Sequence, residues 1–427
     1  MKKIIELIKK VINNDYLFSI ISKFSSLFVA IALSVFMARF FGSELKGIIA
    51  VIDNDVSLYS VFLGLGIYQS YPFFRKKEPD ITQTYLNNIS TLFLILETLA
   101  IIIGITMIIF NVNLYFAIAI LLIPISSYIK QLNYIVLCEN ARRRSMSALL
   151  ISISEVLVLA ILWLLFSANV KTAIAFSCAT YLINFLISFA NLKMNPLKIR
   201  PQLNRIVEFA KFGIIPMLVY LCMTINYRID IQMLKWYSNV TYADIGIYSI
   251  GVSLASKLWL IPDAIKDILL SKLVRGKNEN EVAKVIRINL AICVLAAIML
   301  ILFGKPIITF LYGKDFTQVY YVMVLLVAGM IGMIFYKMVY SYNIAQGKRT
   351  INLIFLGSAA ICNILGNLVL IPLFGIWGAA IMSVISYIIC GLCFLVYFHL
   401  KSNIRYKEIL IIKKQDIENA KFFFKNK

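Results

Sequence analysis

Residues 220–262 read YLCMTINYRIDIQMLKWYSNVTYADIGIYSIGVSLASKLWLIP, and the alternation within this stretch decides the fold class. An apolar helix carries Arg228 and Asp230 at a depth where a bilayer would place hydrocarbon. A short polar loop follows. A second apolar helix opens at Gly246 and carries Lys257 ahead of Pro262. A charge at that depth costs roughly 2.5–3.5 kcal/mol on insertion scales, so each is read as functional or as half of an internal ion pair that locks helices together.

The rest of the chain repeats the pattern. Of 427 residues, 61% are hydrophobic and 15% charged, with a mean hydropathy of +0.86, which excludes an ordinary soluble globular protein. Apolar runs near twenty residues, the length that crosses about 30 Å of hydrocarbon as a helix, recur throughout. Ten-residue alternating segments do not, which argues against a membrane β-barrel. The expected fold is all-α: a polytopic membrane protein of about twelve transmembrane helices in two six-helix bundles. Residues 1–15, with Lys2, Lys3, Lys9 and Lys10 among Ile and Leu, read as an amphipathic lead-in and not as a cleavable signal. The seven cysteines fall mostly inside spans, where Cys is a small hydrophobe. Cys390 and Cys393 form a CxxC pair with no second pair, and the one histidine, His399, ends the last span. Metal and cofactor chemistry are therefore not expected.

Twelve spans are expected at 16–39, 47–70, 88–110, 114–137, 148–168, 172–192, 212–235, 246–270, 288–311, 318–342, 352–373 and 376–399. They divide into an N-terminal bundle (16–192), a linker (193–211), a C-terminal bundle (212–399) and an amphipathic tail (400–427) expected to lie on the membrane surface. Even-numbered connections and both ends hold most of the 42 basic residues, including Arg75–Lys77, Arg142–Arg144 and the tail. Opposite loops hold only Lys46, Lys171, Lys235, Lys305 and Lys314. That asymmetry assigns both termini to the cytoplasm. It also accounts for most of the +21 net charge without nucleic acid.

Helical spacing gathers polar residues on single faces: Ser19, Ser22, Lys23 and Ser26; Asp53, Ser57 and Ser60; Tyr220, Thr224, Tyr227 and Arg228; Ser249, Ser253, Ser256 and Lys257. The serines alone serve helix packing equally well; Lys23, Arg228 and Lys257 favour a wet cavity that receives an anion. Lys337 joins this candidate substrate set, as does Arg39 unless it only snorkels at the outer edge. Lys130 and Lys266 are expected to snorkel on the basic side. Arg228 and Asp230 lie about 200° apart around their helix, so they are not expected to pair. Asp53, Glu97, Glu155 and Asp230 are candidates for binding a coupling sodium ion or proton, or for neutralising a basic neighbour.

The run RIDIQMLKWYSNVTYADIGIYSIGVSLASKLWLIP resembles the seventh and eighth helices of bacterial polysaccharide flippases, in the multidrug/oligosaccharidyl-lipid/polysaccharide (MOP) superfamily. Gly313-Lys314-Asp315, NIAQGKRTINLI, NILGNLVLIPLFGIWGAAIMSVISY and, at the front, ARFFGSELKG and GLGIYQSYPFF extend the resemblance over the whole chain. It implies the MATE-like two-bundle fold and a transporter, not an enzyme, of the bacterial inner membrane. The implied activity moves undecaprenyl-diphosphate-linked oligosaccharide, an O-antigen or related unit, to the periplasmic leaflet. It further implies no cofactor, a Na+ or H+ gradient as the open energy source, and membrane lipid, polysaccharide polymerase and chain-length machinery as partners. By helix position, the family's cavity cations correspond to Lys23, Arg228 and Lys257. A drug exporter of the same superfamily would want an acidic, aromatic cavity. A membrane glycosyltransferase or polymerase would want a large outer loop, which this chain lacks.

Overall fold

The computed structural model describes residues 15–192, 202–274, 279–413 and 416, and these form helices and turns without a strand. In chain order they are α1 (Asp15–Leu63), α2 (Ile67–Lys77), α3 (Ile81–Ile109), α4 (Leu114–Glu139), α5 (Ala141–Leu165), α6 (Val170–Ala190), α7 (Leu203–Leu234), α8 (Tyr242–Ser256), α9 (Leu260–Val274), α10 (Glu279–Tyr312), α11 (Thr317–Ala345), α12 (Arg349–Phe374), α13 (Ile376–Ser402) and the single turn α14 (Tyr406–Leu410).

Eleven segments among the described residues are long and apolar enough to cross a membrane. The first, Phe24–Leu63, is 40 residues, about 60 Å of helix against roughly 30 Å of hydrocarbon. It is bent at Gly42, whose φ of 69° is open to glycine at no steric cost. Counted on either side of Gly42 it is two apolar helices, which brings the candidate spans among the described residues to twelve. The expected second span does not run unbroken to residue 70. It stops at Leu63, and Leu65 and Gly66 take left-handed φ before α2 begins. The eighth is also interrupted: α8 ends at Ser256, Lys257–Trp259 tighten into a 3-10 turn, and α9 continues. Pro262 explains this, because it cannot donate to the Leu258 carbonyl one turn back. That carbonyl instead accepts from the Cys293 thiol at 3.7 Å.

Contacts divide the chain at Leu221/Cys222, inside α7, and residues 193–201 of the expected linker lie outside the described residues. In the first unit α1 packs on α4, α5 and α6, and α3 on α4. Its two apolar cores are centred on Tyr71, Phe74, Tyr85, Tyr128 and Phe209, and on Met37, Phe41, Ile49, Leu159 and Phe176. In the second unit α11 is the central helix, touching α8, α9, α10 and α13. The backbones of Gly332 of α11 and Gly391 of α13 approach so closely that a methyl group on Gly391 would collide with the Gly332 carbonyl, the small-residue packing expected where lipid gives helices no hydrophobic reason to associate.

The described part of the tail packs on the second unit, where α14 touches α10. Ile409 is fully buried, and Arg287 of α10 holds Asp416 with Nε–Oδ2 at 3.0 Å and Nη2–Oδ1 at 3.3 Å. Residues 1–14, 414–415 and 417–427 lie outside the described residues.

Candidate functional site

Within the second unit, α7, α8, α12 and α13 converge on Asp230, 2% exposed. Tyr248 donates to its Oδ2 at 2.8 Å, Asn367 Nδ2 to its Oδ1 at 2.8 Å, and Ser383 Oγ to Oδ2. The network continues through Asn367 Nδ2 to Asn363 Oδ1 at 2.5 Å, Asn363 Nδ2 to Asn226 Oδ1 at 3.3 Å, and Ser386 Oγ to Asn226 Oδ1 at 2.7 Å. All six partners are fully buried. The helical spacing is simple: Asn226 and Asp230 are one turn apart on α7, Asn363 and Asn367 on α12, and Ser383 and Ser386 on α13. Asp230 thus meets neutral donors, and Arg228 is not its partner, as the helix geometry requires. Asn367 Oδ1, Asn226 Nδ2 and the Tyr227 hydroxyl are buried without a hydrogen-bond partner. The oxygens available near the carboxylate, such as the unpartnered Asn367 Oδ1, are hard donors. Groups of three or more His, Cys, Asp and Glu that would hold a transition metal are absent among the described residues.

Beside this network Tyr227, Trp259 and Tyr387 form an aromatic cluster, with Tyr227–Trp259 centroids at 4.8 Å and Trp259–Tyr387 at 5.9 Å. Trp259 is anchored by its indole N–H on the Met330 carbonyl at 2.9 Å. The contact brings α7, one residue from Arg228, against the 3-10 turn that Lys257 opens. Arg228 and Lys257 are both half-buried, and neither makes an ion pair among the described residues.

Lys337 differs from them. It is buried, its Nζ lies 2.6 Å from Asp263 Oδ1, and it sits 4.6 Å from the centroid of the Trp259 ring. Desolvation makes that pairing close to obligatory, so Lys337 is committed within the protein. Lys266, expected to snorkel, also lies 3.7 Å from Asp263.

In the first unit, Arg39 is exposed on α1, and the side chain of Lys23 lies outside the described residues. Lys130 turns inward instead of snorkelling, its Nζ donating to Ser60 Oγ at 2.6 Å and the Ser57 carbonyl at 3.3 Å. Asp53 is half-buried and in electrostatic reach of both Lys46 and Glu155. Glu97, on α3, has a buried Oε2 without a partner. Asn54, next to Asp53 in sequence, is 1% exposed, and both its amide atoms are unpartnered.

Sequence reasoning missed Asn226, Tyr248, Asn363, Asn367, Ser383 and Ser386 as a group. The signal was present: the i, i+4 count that picked out the serine stripes also links Asn226 to Asp230 and Asn363 to Asn367. Their convergence from four helices is tertiary.

No family model matches the chain, and no curated relative matches it. Solved structures do. An inward-closed lipid II flippase MurJ is similar at 20% identity with a TM-score of 0.72, over 92% of this chain and 89% of that one. An inward-facing multidrug resistance MATE transporter of the MOP superfamily is similar at 14% identity and 0.67, over 88% and 94%. The MATE multidrug transporter DinF-BH is similar at 14% and 0.61, over 93% and 95%. The chain therefore has the fold of MOP superfamily transporters.

Proposed function

We propose that this chain is a flippase that carries a lipid-linked oligosaccharide, with an undecaprenyl-diphosphate-type anionic head, from the cytoplasmic to the periplasmic leaflet of a bacterial inner membrane. The observation that carries the reading is the pair Arg228 and Lys257: two half-buried cations at membrane depth with no ion pair among the described residues. Leaving such charges unpaired is costly unless an anion visits them. Guanidinium and ammonium groups are the side chains that recognise a diphosphate. The likeness to a lipid II flippase supports a lipid-linked substrate. Transport needs no covalent chemistry, and the reading assigns no enzymatic residue. Lys23 and Arg39 remain members of the proposed substrate set, and both termini are placed in the cytoplasm by the basic loops. Polysaccharide polymerase and chain-length machinery are the partners that accompany such a step.

The Asp230 network is the proposed site for the coupling ion, Na+ or H+. Its oxygens suit either, and the unused Asn367 Oδ1 is a ready ligand for a cation. Asp53, Glu97 and Glu155 are the alternative proton carriers in the first unit.

A drug exporter is the second reading, and the Tyr227–Trp259–Tyr387 cluster is the feature that favours it, since aromatic faces hold flat cations. Lys337 already stands at the Trp259 ring, however, and would repel a cationic drug there.

The test is surface polysaccharide in cells that depend on this chain. Arg228→Ala and Lys257→Ala should each abolish it while the protein stays in the membrane at wild-type level. Normal polysaccharide in both variants removes the cationic-site reading.

A further inference from the structure

The first unit carries a cavity that the flippase reading does not use. It encloses about 170 Å³ and is lined by Thr82, Leu86, Ile135, Val136, Glu139, Asn140, Arg143, Asn191 and Leu192. The starts of α3 and α5 and the ends of α4 and α6 meet there, all at the side of the bundle that bears the basic loops. One wall is apolar, from Leu86, Ile135, Val136 and Leu192; the rim is polar.

The charge at the rim is positive once its pairs are counted. Glu139 is already satisfied: Arg75 Nε reaches its Oε1 at 2.7 Å, Arg75 Nη2 its Oε2 at 3.3 Å, and the Tyr71 hydroxyl donates to Oε1 at 2.6 Å. The Arg143 guanidinium, by contrast, makes no ion pair among the described residues. Next to it, Arg144 has a buried Nη1 with no partner. Arg142 lies 5.1 Å from the Phe18 ring centroid. Three consecutive arginines in the first turn of α5, with no acid in that turn, stand at the positive end of the helix dipole, where cations are disfavoured. The Asn140 side chain accepts from the Arg143 backbone N–H at 2.9 Å, so the cap is complete without an anion and leaves the Arg143 guanidinium free of that role.

We propose that this cavity binds the phosphate of an anionic phospholipid, Arg143 meeting the phosphate and the Leu86–Ile135–Val136 wall receiving the apolar part next to it. A void of this size exceeds the roughly 30 Å³ share of one water and has only one polar side, which suits an amphiphile better than a water cluster. Basic pockets between transmembrane helices on the cytoplasmic side are the usual place for acidic head groups. The proposal stands apart from the transport reading, because it involves neither Arg228 nor Lys257.

The test is native mass spectrometry of the purified full chain after exchange into micelles doped with phosphatidylglycerol, phosphatidylcholine or inorganic phosphate. Wild type should retain phosphatidylglycerol over phosphatidylcholine. Arg143→Gln should weaken that retention about tenfold, the loss expected for one charge-assisted hydrogen bond. Val136→Phe, which keeps every charge but fills the cavity, should weaken it as strongly. Arg228→Ala and Lys257→Ala should bind like wild type, so failure here and failure of the flippase reading are separate results. Equal retention of the two lipids, or unchanged retention in both Arg143→Gln and Val136→Phe, overturns the site. Displacement of the lipid by inorganic phosphate at equal concentration overturns the lipid assignment.

Discussion

Replacing Asp230 by Ala is the perturbation whose size follows most directly from the structure. The carboxylate accepts from Tyr248, Asn367 and Ser383, and all three donors are fully buried. Truncation leaves each without an acceptor, at about 1–3 kcal/mol per buried donor. The sum is about 3–9 kcal/mol, and rotation of the two hydroxyls toward other acceptors brings the expected loss to the lower end, about 3–4 kcal/mol. Asp230→Asn keeps the Oδ1 acceptor for Asn367 and offers its NH2 to the Tyr248 and Ser383 oxygens, which can accept after rotating. Its expected cost is about 1 kcal/mol. Tryptophan fluorescence during denaturation in detergent measures both. Trp163 is the only one of the four tryptophans in the first unit, so a Trp163→Phe background makes the signal report the second unit. Equal and small losses in Asp230→Ala and Asp230→Asn, each under about 1 kcal/mol, would refute the reasoning, since they would mean that the donors do not depend on the carboxylate.

Arg287→Met should release the tail and cost about 3–5 kcal/mol by stranding the buried Asp416, and adding Asp416→Leu should recover much of it; limited proteolysis of the tail reads both. Burial works to raise the Asp416 carboxyl, but hydrogen bonds from Arg287 and from the Lys413 backbone N–H outweigh it and hold the group below the ordinary aspartate value. The docked tail should therefore be fully stabilised above about pH 4, the usual aspartate range, and loosen as pH falls through the lowered value; tail cleavage that does not rise with acidification contradicts this. Lys337→Met keeps an apolar stem against Trp259 and leaves Asp263 half-exposed beside Lys266, so surface polysaccharide should persist, whereas its loss would return Lys337 to the substrate set. Asp230→Asn should insert normally and lose dependence on the ion gradient in a vesicle transport assay; an intact gradient response moves the coupling site to Asp53, Glu97 or Glu155.

The apolar helices are legible in the sequence because hydrocarbon thickness sets their length, a local property. The expected span 246–270 runs through Pro262, and the 3-10 turn ahead of it shows only in the structure. The separation of Arg228 from Asp230 follows from 3.6 residues per turn. What is not legible is who faces whom. Lys337 and Asp263 are 74 residues apart in sequence, so their pairing belongs to the packing of α9 on α11. Lys130 reads as a snorkelling end-of-span lysine until Ser57 and Ser60 of α1 are placed beside it. Asn363 and Asn367 stand one turn apart in the sequence, and only the arrival of Asp230 and Asn226 from α7 makes them a network. The tail shows its amphipathic pattern in sequence, but that pattern does not announce the pairing of Arg287 with Asp416.

The central claim, that uncompensated cations in the spans receive a travelling anion, is tested most directly in proteoliposomes. Flipping of a fluorescent undecaprenyl-diphosphate oligosaccharide is followed beside efflux of a cationic dye. Wild type is expected to flip the lipid and leave the dye inside, and the Arg228→Ala/Lys257→Ala double variant to transport neither. Dye efflux by wild type, or undiminished lipid flipping by the double variant, contradicts it.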